Sequence, residues 1–397
     1  MKLFRVFFLF FFTSNILFVI NSKDDLTLFK KIYYKADTLQ KRQEILDDME
    51  KVVTEEFNDF IVNIVVDQAN YNYNSTNIKD YENWVLATLK IISKLKIKEA
   101  NQYLEKIYDK CKNIILKSQI ILTIVQTGDV RYIEWLNNLL YKINSLHREK
   151  KFIGQEELVQ GIVMGLDAFG DISSFENLLY VALPNFSDDT QKLAKKAIDK
   201  ITDNPALVCN EIILNNTDFD IKLDALKYAI NSNSPDKDKI YTCKMTLQKM
   251  SGVATEVYLE DKRKALLNYS VEFLGEKKVD DKEVIDMIEE KWNSENEYYS
   301  ILTNIEALKK IGTEDAVEVL ITKLYYFNQR KKEGFNDGFL TEEGPKIVIA
   351  LINALGATKN PESLDVLHDT IGTEGYGNTI KMEALKAIDL IENKTKK

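Results

Sequence analysis

The sequence predicts an all-α chain built from antiparallel helical hairpins that repeat along its length. Its 397 residues contain only 5 prolines and 15 glycines, which favours long uninterrupted helices over a strand-and-turn fold. The segments that begin at Ala307 and at Ala350 share one layout: an amphipathic helix ends near a glycine, a short polar turn follows, and a second amphipathic helix begins. Self-similarity at a spacing of about 30–45 residues is typical of a stacked array.

The first residues differ from the rest of the chain. Two basic residues, Lys2 and Arg5, precede an apolar run over 6–20, and Ser22 supplies a small residue before a charged stretch. This is the layout of a secretory signal peptide. Polar residues interrupt the run, so it makes a poor membrane span, which needs about 20 apolar residues. We therefore expect a signal peptide over 1–22 and an exported protein, periplasmic or associated with the cell envelope, with an uncleaved anchor as the alternative.

The charge of the chain bears on its partners. Without the signal peptide, 51 basic residues remain against 62 acidic ones, a net charge of −11. An acidic surface repels phosphate backbones and anionic lipid head groups, so nucleic acid and membrane surfaces are not expected partners. A protein partner with a basic patch would be complementary.

Residues 23–150 are expected to form an N-terminal helical region with degenerate hairpins. A Tyr/Asn-rich stretch at 71–77 reads as a loop, and two hairpins follow it, the second of which turns at 128–129 in a Gly-Asp pair. A polar connector near 145–154 separates this region from the more regular repeats that come next.

Residues 151–397 are expected to form the regular repeat array, with an insertion at about 328–343. A second Gly-Asp turn, at 170–171, lies 42 residues after the first one. Apolar residues at helical spacing predict the core-facing stripes of the helices. These stripes are Leu158, Ile162, Leu166 and Phe169; Phe219, Leu223, Leu226 and Ile230; Ile347, Leu351 and Leu355; and Leu364, Leu367 and Ile371.

A helix start signal recurs along the array. A capping residue followed by proline begins the second helix of successive hairpins, because the capping side chain accepts from a free helix N–H and proline needs no donor at the first position. The three occurrences are Asn204-Pro205, Ser234-Pro235 and Asn360-Pro361.

These segments resemble HEAT repeats, most closely from Ala307 to Leu324 and from Ala350 to Ile371, with a half repeat from Ala384. The short form also resembles the HEAT-like repeats of phycobilin lyases. The resemblance implies a right-handed α-solenoid of the armadillo type, whose concave face grips another protein. Tetratricopeptide repeats are the main alternative, but their even period of about 34 residues does not fit turn spacings of about 30–45.

No residue pattern identifies a chemistry. The two histidines, His147 and His368, lie on different hairpins, and no zinc-protease, zinc-ribbon or serine-hydrolase motif occurs. We therefore expect no catalytic, metal or cofactor-binding residue, and predict that the chain is not an enzyme. Cys111, Cys209 and Cys243 are expected to be small buried residues, although one disulfide could form after export.

The candidate partner-binding residues are aromatic. Two adjacent helix positions cannot both face the core, so one tyrosine of each Tyr-Tyr pair should point outward, where it adds contact area at low entropic cost. The glycine-rich insertion carries two further aromatic residues, with a disordered loop as the alternative reading. The candidates are Tyr298, Tyr299, Tyr325, Tyr326, Phe335 and Phe339.

The function that the sequence favours is an exported, non-enzymatic scaffold or adaptor that binds protein through the concave face of a HEAT-like solenoid. The alternatives are a structural spacer in a cell-envelope assembly and a HEAT-like enzyme of the lyase type. A binding protein should expose an aromatic or apolar patch, whereas a spacer should be evenly polar.

Overall fold

The computed structural model describes residues 22–72, 77–151, 156–253, 256–294, 297–334 and 343–395. These residues form α-helices joined by short turns and 3-10 segments, and no β-strand occurs among them. The all-α class predicted from the sequence is confirmed. Nearly all of the predicted signal peptide lies outside the described residues.

The chain divides into two compact units, unit 1 up to Thr202 and unit 2 from Asp203. The boundary near residue 150 that the sequence suggested rests on a change in repeat regularity, and it stays a prediction. The two units are described separately below.

Unit 1 contains helices α1 to α10 in its described part. Their bounds are α1 (Ser22–Lys35), α2 (Leu39–Met49), α3 (Asn58–Asn70), α4 (Ile78–Leu95), α5 (Asn101–Lys110), α6 (Ile114–Gln126), α7 (Ile133–Arg148), α8 (Glu156–Phe169), α9 (Phe175–Ala182) and α10 (Asp188–Ile201). Short 3-10 helices precede α3, α5, α7 and α9.

Alternate helices of unit 1 pack side by side. Helices α2, α4, α6, α8 and α10 each contact the next in that order and form the first layer of unit 1. In the second layer, α3 packs on α5 and α7 on α9, and consecutive helices pair across the two layers. An amphipathic helix on a short connection buries its apolar stripe against its chain neighbours in this way.

The core of unit 1 is aromatic near its N-terminal end. Trp84 on α4 is fully buried, and its indole Nε1 donates to the hydroxyl of the equally buried Tyr33, 2.9 Å away. Tyr33 also makes an edge contact with the ring of Phe60 at a centroid distance of 5.5 Å. The polar edge of the indole is therefore satisfied inside an apolar core.

The two Gly-Asp turns predicted from the sequence are present in unit 1. Gly128 and Gly170 have φ of +69° and +63°, in the left-handed region that glycine enters without strain. The following aspartates accept from the backbone two residues on: Asp129 from Arg131 N, and Asp171 from a serine N–H. The repeat of this turn is confirmed as a repeat of structure.

Unit 2 contains helices α11 to α20 in its described part. Their bounds are α11 (Pro205–Asn215), α12 (Phe219–Asn231), α13 (Asp236–Ser251), α14 (Val257–Glu276), α15 (Lys282–Asn293), α16 (Tyr298–Ile311), α17 (Glu314–Lys332), α18 (Gly344–Thr358), α19 (Leu364–Gly372) and α20 (Asn378–Thr395). Its first layer is the contact series α12, α14, α16, α18 and α20, and its second layer is the series α11, α13, α15, α17 and α19.

Most residues of the predicted core stripes are buried in both units. The exceptions are half-buried at stripe edges, where the 3.6-residue period carries a side chain off the core-facing line. They are Phe169, Leu223, Ile230, Leu364 and Ile371.

The three predicted helix start signals behave differently. Asn360 caps as expected, because its side-chain oxygen accepts from Glu362 N at 2.9 Å. Ser234 instead caps a neighbouring helix, since its hydroxyl accepts from Ala206 N in the first turn of α11 at 2.9 Å. Asn204 stands at the N-cap of α11 but makes no capping hydrogen bond.

Two glycines lie inside helices, at points where neighbouring helices of the first layer meet. Gly275 belongs to the last turn of α14, and a Cβ there would lie 2.6 Å from Ala307 Cα on α16. Gly356 on α18 similarly lacks room, with Ala387 Cβ of α20 at 2.8 Å. The left-handed residue after α14 is Lys278, with φ of +50°. These glycines are required by close helix contact within the first layer, and not by a turn.

The predicted insertion begins later than expected. Helix α17 continues to Lys332, and Asn328 within it is fully buried. The amide of Asn328 donates to Asp369 Oδ2 at 3.0 Å and to Thr370 Oγ1 at 2.9 Å, both on α19. Bonding to the next helix of the layer keeps this stretch helical where composition suggested a loop. Residues 335–342 lie outside the described residues.

Cys111, Cys209 and Cys243 are buried and free, as predicted for small core residues. Burial raises the pKa of each thiol above its usual value. A protonated and enclosed thiol is a poor nucleophile, so none of the three is poised to react.

Candidate partner-binding site

The structure orients the two Tyr-Tyr pairs as the helical geometry requires. Tyr299 at the start of α16 and Tyr326 on α17 are each 57% exposed, whereas their neighbours Tyr298 and Tyr325 are half-buried. Tyr299 and Tyr326 belong to helices of different layers, so the two exposed tyrosines do not form one patch. Phe335 and Phe339 lie outside the described residues.

Tyr299 lines a cleft on the first layer of unit 2, between α14 and α16. We call it the α14–α16 cleft, and its volume is about 280 Å³. Its lining residues are Asp261, Lys264, Ala265, Asn268, Tyr269 and Glu272 on α14, and Glu297 and Tyr299 at the start of α16.

One face of α14 forms one wall of this cleft. Positions 261, 265, 268 and 272 are three and four residues apart, so they share one face of the helix. The bare surface of Gly275 lets α16 approach that face closely near the C-terminal end of α14. Tyr269, exposed by 39%, and Tyr299 supply the aromatic surface of the cleft.

The aromatic surface continues along α14. Tyr258 is 70% exposed and precedes Tyr269 by 11 residues, which brings it back to nearly the same helix face about 16 Å away. The ring of Tyr269 already receives a cation, because Lys227 Nζ of α12 lies 5.2 Å from its centroid.

The charged groups of the cleft are unequal in number. Lys264 Nζ pairs with Glu297 at 3.3 Å, while Asp261 and Glu272 are exposed and have no ion-pair or hydrogen-bond partner among the described residues. The cleft therefore has an excess of negative charge.

A buried amide forms part of the wall. Asn268 is 7% exposed, and its Nδ2 donates to Ser300 Oγ of α16 at 3.0 Å. Its Oδ1 is buried and accepts no hydrogen bond from the described residues. An unsatisfied buried acceptor is uncommon and costs stability unless something supplies a donor.

A larger and more polar groove lies on the first layer of unit 1, between α2, α4 and α6. Its volume is about 490 Å³. Lys90 and Asp47 form an ion pair of 3.3 Å across it. The rest of its lining is dominated by amides and aliphatic residues: Gln43, Asn83, Leu86, Gln119, Leu122 and Gln126. It lacks the exposed aromatic rings of the α14–α16 cleft.

One histidine packs against neighbouring aromatic side chains, and the other faces solvent. His147 is half-buried, its Nδ1 lies 2.8 Å from the hydroxyl of Tyr180, and its ring packs on Phe186. His368 is exposed on α19. Within the described ranges, no group of three or more His, Cys, Asp or Glu side chains is arranged to hold a metal ion.

Tyr269 and Asn268 were missed in the sequence. A tyrosine among apolar residues of a helix is normally interpreted as a core residue. Only the position of the neighbouring packed helix shows that this tyrosine borders a cleft. The return of tyrosine to the same face of α14 after 11 residues was a signal that could have been used.

No protein-family model matches the chain, and no curated protein matches it. It is similar to the solved structure of human deoxyhypusine hydroxylase in complex with glycerol, at 14% identity and a TM-score of 0.27, over 87% of this chain and 99% of that one. It is also similar to a crystal structure of an engineered protein, at 16% identity and a TM-score of 0.32, over 94% of this chain and 99% of that one.

These similarities correct one prediction. The sequence predicts that the chain is not an enzyme, and the similarity to deoxyhypusine hydroxylase, which is an enzyme, contradicts that prediction. A likeness at this TM-score assigns no activity, substrate or cofactor to this chain. In the described part of the chain, no helix is both long enough and apolar enough to cross a membrane.

Proposed function

We propose that this chain is an exported HEAT-like repeat protein that binds another protein, and that the α14–α16 cleft is a contact site. The observation that carries the proposal is the exposure of Tyr269 and Tyr299 around a cleft on the first layer of unit 2. Tyrosine is enriched at binding surfaces because it buries a large area with few rotatable bonds. A structural spacer has no need for such a patch.

The right-handed HEAT-like solenoid is part of the proposal, and the packing order within each unit supports its stacking of hairpins. Each first-layer helix contacts the next but one along the chain, as stacked hairpins require. Ion pairs repeat across this contact: Lys90 with Asp47 at 3.3 Å in unit 1, and Lys262 with Asp220 at 2.7 Å in unit 2. The partners of these pairs are separated by 43 and 42 residues, which is one repeat.

Site-specific photocross-linking in the cells that make the protein tests the binding proposal. A benzophenone amino acid replaces Tyr299 in one variant and Tyr141 in another; Tyr141 is a matched control because it is 56% exposed on α7 of unit 1. We expect a light-dependent adduct with one enriched protein from position 299 and not from position 141. Absence of an adduct at position 299, or the same adducts from both positions, would reject the cleft as a contact site.

Export is tested separately. N-terminal sequencing of the protein isolated from its cells should begin at Lys23, as expected for cleavage after a signal peptide. A chain that retains Met1 would contradict cleavage and favour an anchored form.

A further inference from the structure

We propose that the α14–α16 cleft binds a positively charged side chain of the protein partner, an arginine, between aromatic rings and unpaired carboxylates. The inference rests on the proposed function, because it assigns the chemistry of the contact that the cleft makes. It concerns the chemical class of the contact and not the identity of the partner.

The aromatic rings of the cleft suit a cation. Tyr269 and Tyr299 both line it and both expose ring surface to solvent. The face of an aromatic ring attracts a cation through its quadrupole, and arginine also stacks on the ring as a plane. Lys227 Nζ, 5.2 Å from the centroid of Tyr269, shows that this ring accepts a cation in the folded chain.

The unpaired carboxylates of the cleft favour a positively charged ligand. Glu297 and Lys264 neutralise each other at 3.3 Å, which leaves Asp261 and Glu272 without a counter-ion in the described part of the chain. These two groups would repel an anionic side chain, and a neutral donor would gain less from them than a cationic one. A guanidinium offers five N–H donors in a rigid fork that matches carboxylate oxygens.

The buried amide gives a third, independent indication. Asn268 Oδ1 is an acceptor without a donor, on a residue that lines the cleft and is 7% exposed. The two unpaired carboxylates and this amide oxygen are all acceptors, which points to a donor-rich, cationic ligand.

The cleft is accessible to a side chain of a partner protein. Its volume is about 280 Å³. The unpaired carboxylates are exposed at the cleft, so a side chain on a partner surface can reach them from solvent. Arginine is favoured over lysine because its guanidinium is more weakly hydrated and loses less on entering the cleft.

Saturation-transfer NMR on the full mature chain tests the pocket. The probe is the peptide acetyl-Gly-Arg-Gly-amide, and the matched probe carries citrulline, a neutral isostere, in place of arginine. We expect arginine to bind about tenfold more tightly than citrulline at low salt, from two exposed ion pairs and one cation–π contact. Equal binding of the two peptides, or no binding of either, would overturn the proposal.

Isosteric variants locate the effect. The pair Asp261→Asn and Glu272→Gln should abolish the preference for arginine over citrulline. The control pair Glu134→Gln and Asp199→Asn removes the same two charges from exposed positions of unit 1 and should leave the preference intact. If both pairs of variants lose the preference for arginine equally, net charge alone attracts the peptide, and the proposed arginine pocket is rejected.

The outcome is distinguishable from failure of the proposed function. A light-dependent partner at position 299 without any arginine preference rejects the cationic pocket and keeps the binding function. The absence of that adduct rejects the binding site whatever the peptides show. Circular dichroism of each variant confirms that the exposed isosteric changes leave the helices intact.

Discussion

Gly275 and Ala307 are in direct contact where α14 crosses α16: a Cβ at position 275 would lie 2.6 Å from the Cα and 2.8 Å from the Cβ of Ala307. This contact sets the separation of the two helices that form the α14–α16 cleft. Gly356 and Ala387 repeat the relationship between α18 and α20. A small residue on each helix thus determines how closely two neighbouring first-layer helices pack.

Gly275→Ala is expected to destabilise unit 2. The added methyl group meets backbone atoms of Ala307 and cannot rotate away, so α14 and α16 must separate, at a cost of about 1–3 kcal/mol. Thermal unfolding followed by circular dichroism at 222 nm should show a lower midpoint for the variant.

Gly252→Ala is the matched control for this substitution. No atom of the described residues lies within 4 Å of the place that a Cβ would take at Gly252, and its φ of −92° suits alanine. We expect an unchanged or slightly higher unfolding midpoint, because alanine restricts the unfolded chain. An equal drop in both variants would show that steric contact with Ala307 is not the cause.

Asp129 is expected to make the stability of unit 1 depend on pH. The Arg131 guanidinium hydrogen-bonds the Asp129 carboxylate at 2.7 and 2.8 Å and lowers its pKa below the ordinary value. A carboxyl group whose pKa is lowered by folding stabilises the fold above its unfolded pKa of about 3.9, and that contribution is lost as the pH falls through the folded pKa. Asp129→Asn should therefore cost about 0.2–1 kcal/mol at neutral pH, because asparagine caps as well as aspartate but cannot form the ion pair with the exposed Arg131 guanidinium.

Urea unfolding at pH 7 and at pH 3 measures this dependence. The difference between the parent chain and Asp129→Asn should shrink at the lower pH, where the parent carboxylate begins to protonate in the unfolded state. Asp199→Asn, at an exposed position on α10, should cost little at either pH. A difference at Asp129 that stays constant with pH would argue against a role for its charge.

The three cysteines are expected to resist modification in the native chain. Cys209 and Cys243 have no exposed surface, Cys111 has 4%, and burial raises the pKa of each thiol. Brief alkylation followed by mass spectrometry should find no adduct in native buffer and three adducts in urea. A disulfide in the protein isolated from its cells would contradict the free, buried thiols seen here.

Local chemistry explains which features were readable in the sequence. Gly312 ends α16 with φ of +66°, and Asn360 caps its helix through its own side chain; both depend only on neighbouring residues. The role of Gly275 cannot be predicted in this way, because a glycine near a helix end looks the same in sequence whether it turns the chain or admits a second helix. Only the presence of Ala307, 32 residues later, distinguishes the two cases.

The candidate site could be predicted only in part from the sequence. Tyr299 could be identified because two adjacent tyrosines on one helix cannot both face the protein core. Tyr269 has no aromatic neighbour in sequence, and its position beside the cleft depends on where α16 packs. Asn268 and its unpaired oxygen could not be found without the structure, since hydrogen-bond satisfaction is a property of the packed chain.

The last prediction concerns Lys227, whose ammonium group lies over the ring of Tyr269. If the α14–α16 cleft binds arginine, this lysine competes for the same ring and repels the incoming charge. Lys227→Gln should then bind the arginine peptide about two- to fivefold more tightly at low salt, with no change for the citrulline peptide. Lys237→Gln, which removes an exposed positive charge from α13, is the control and should bind as the parent does. Weaker binding by Lys227→Gln would mean that the lysine positions Tyr269 for the ligand, because removal of a competing cation cannot by itself lower affinity.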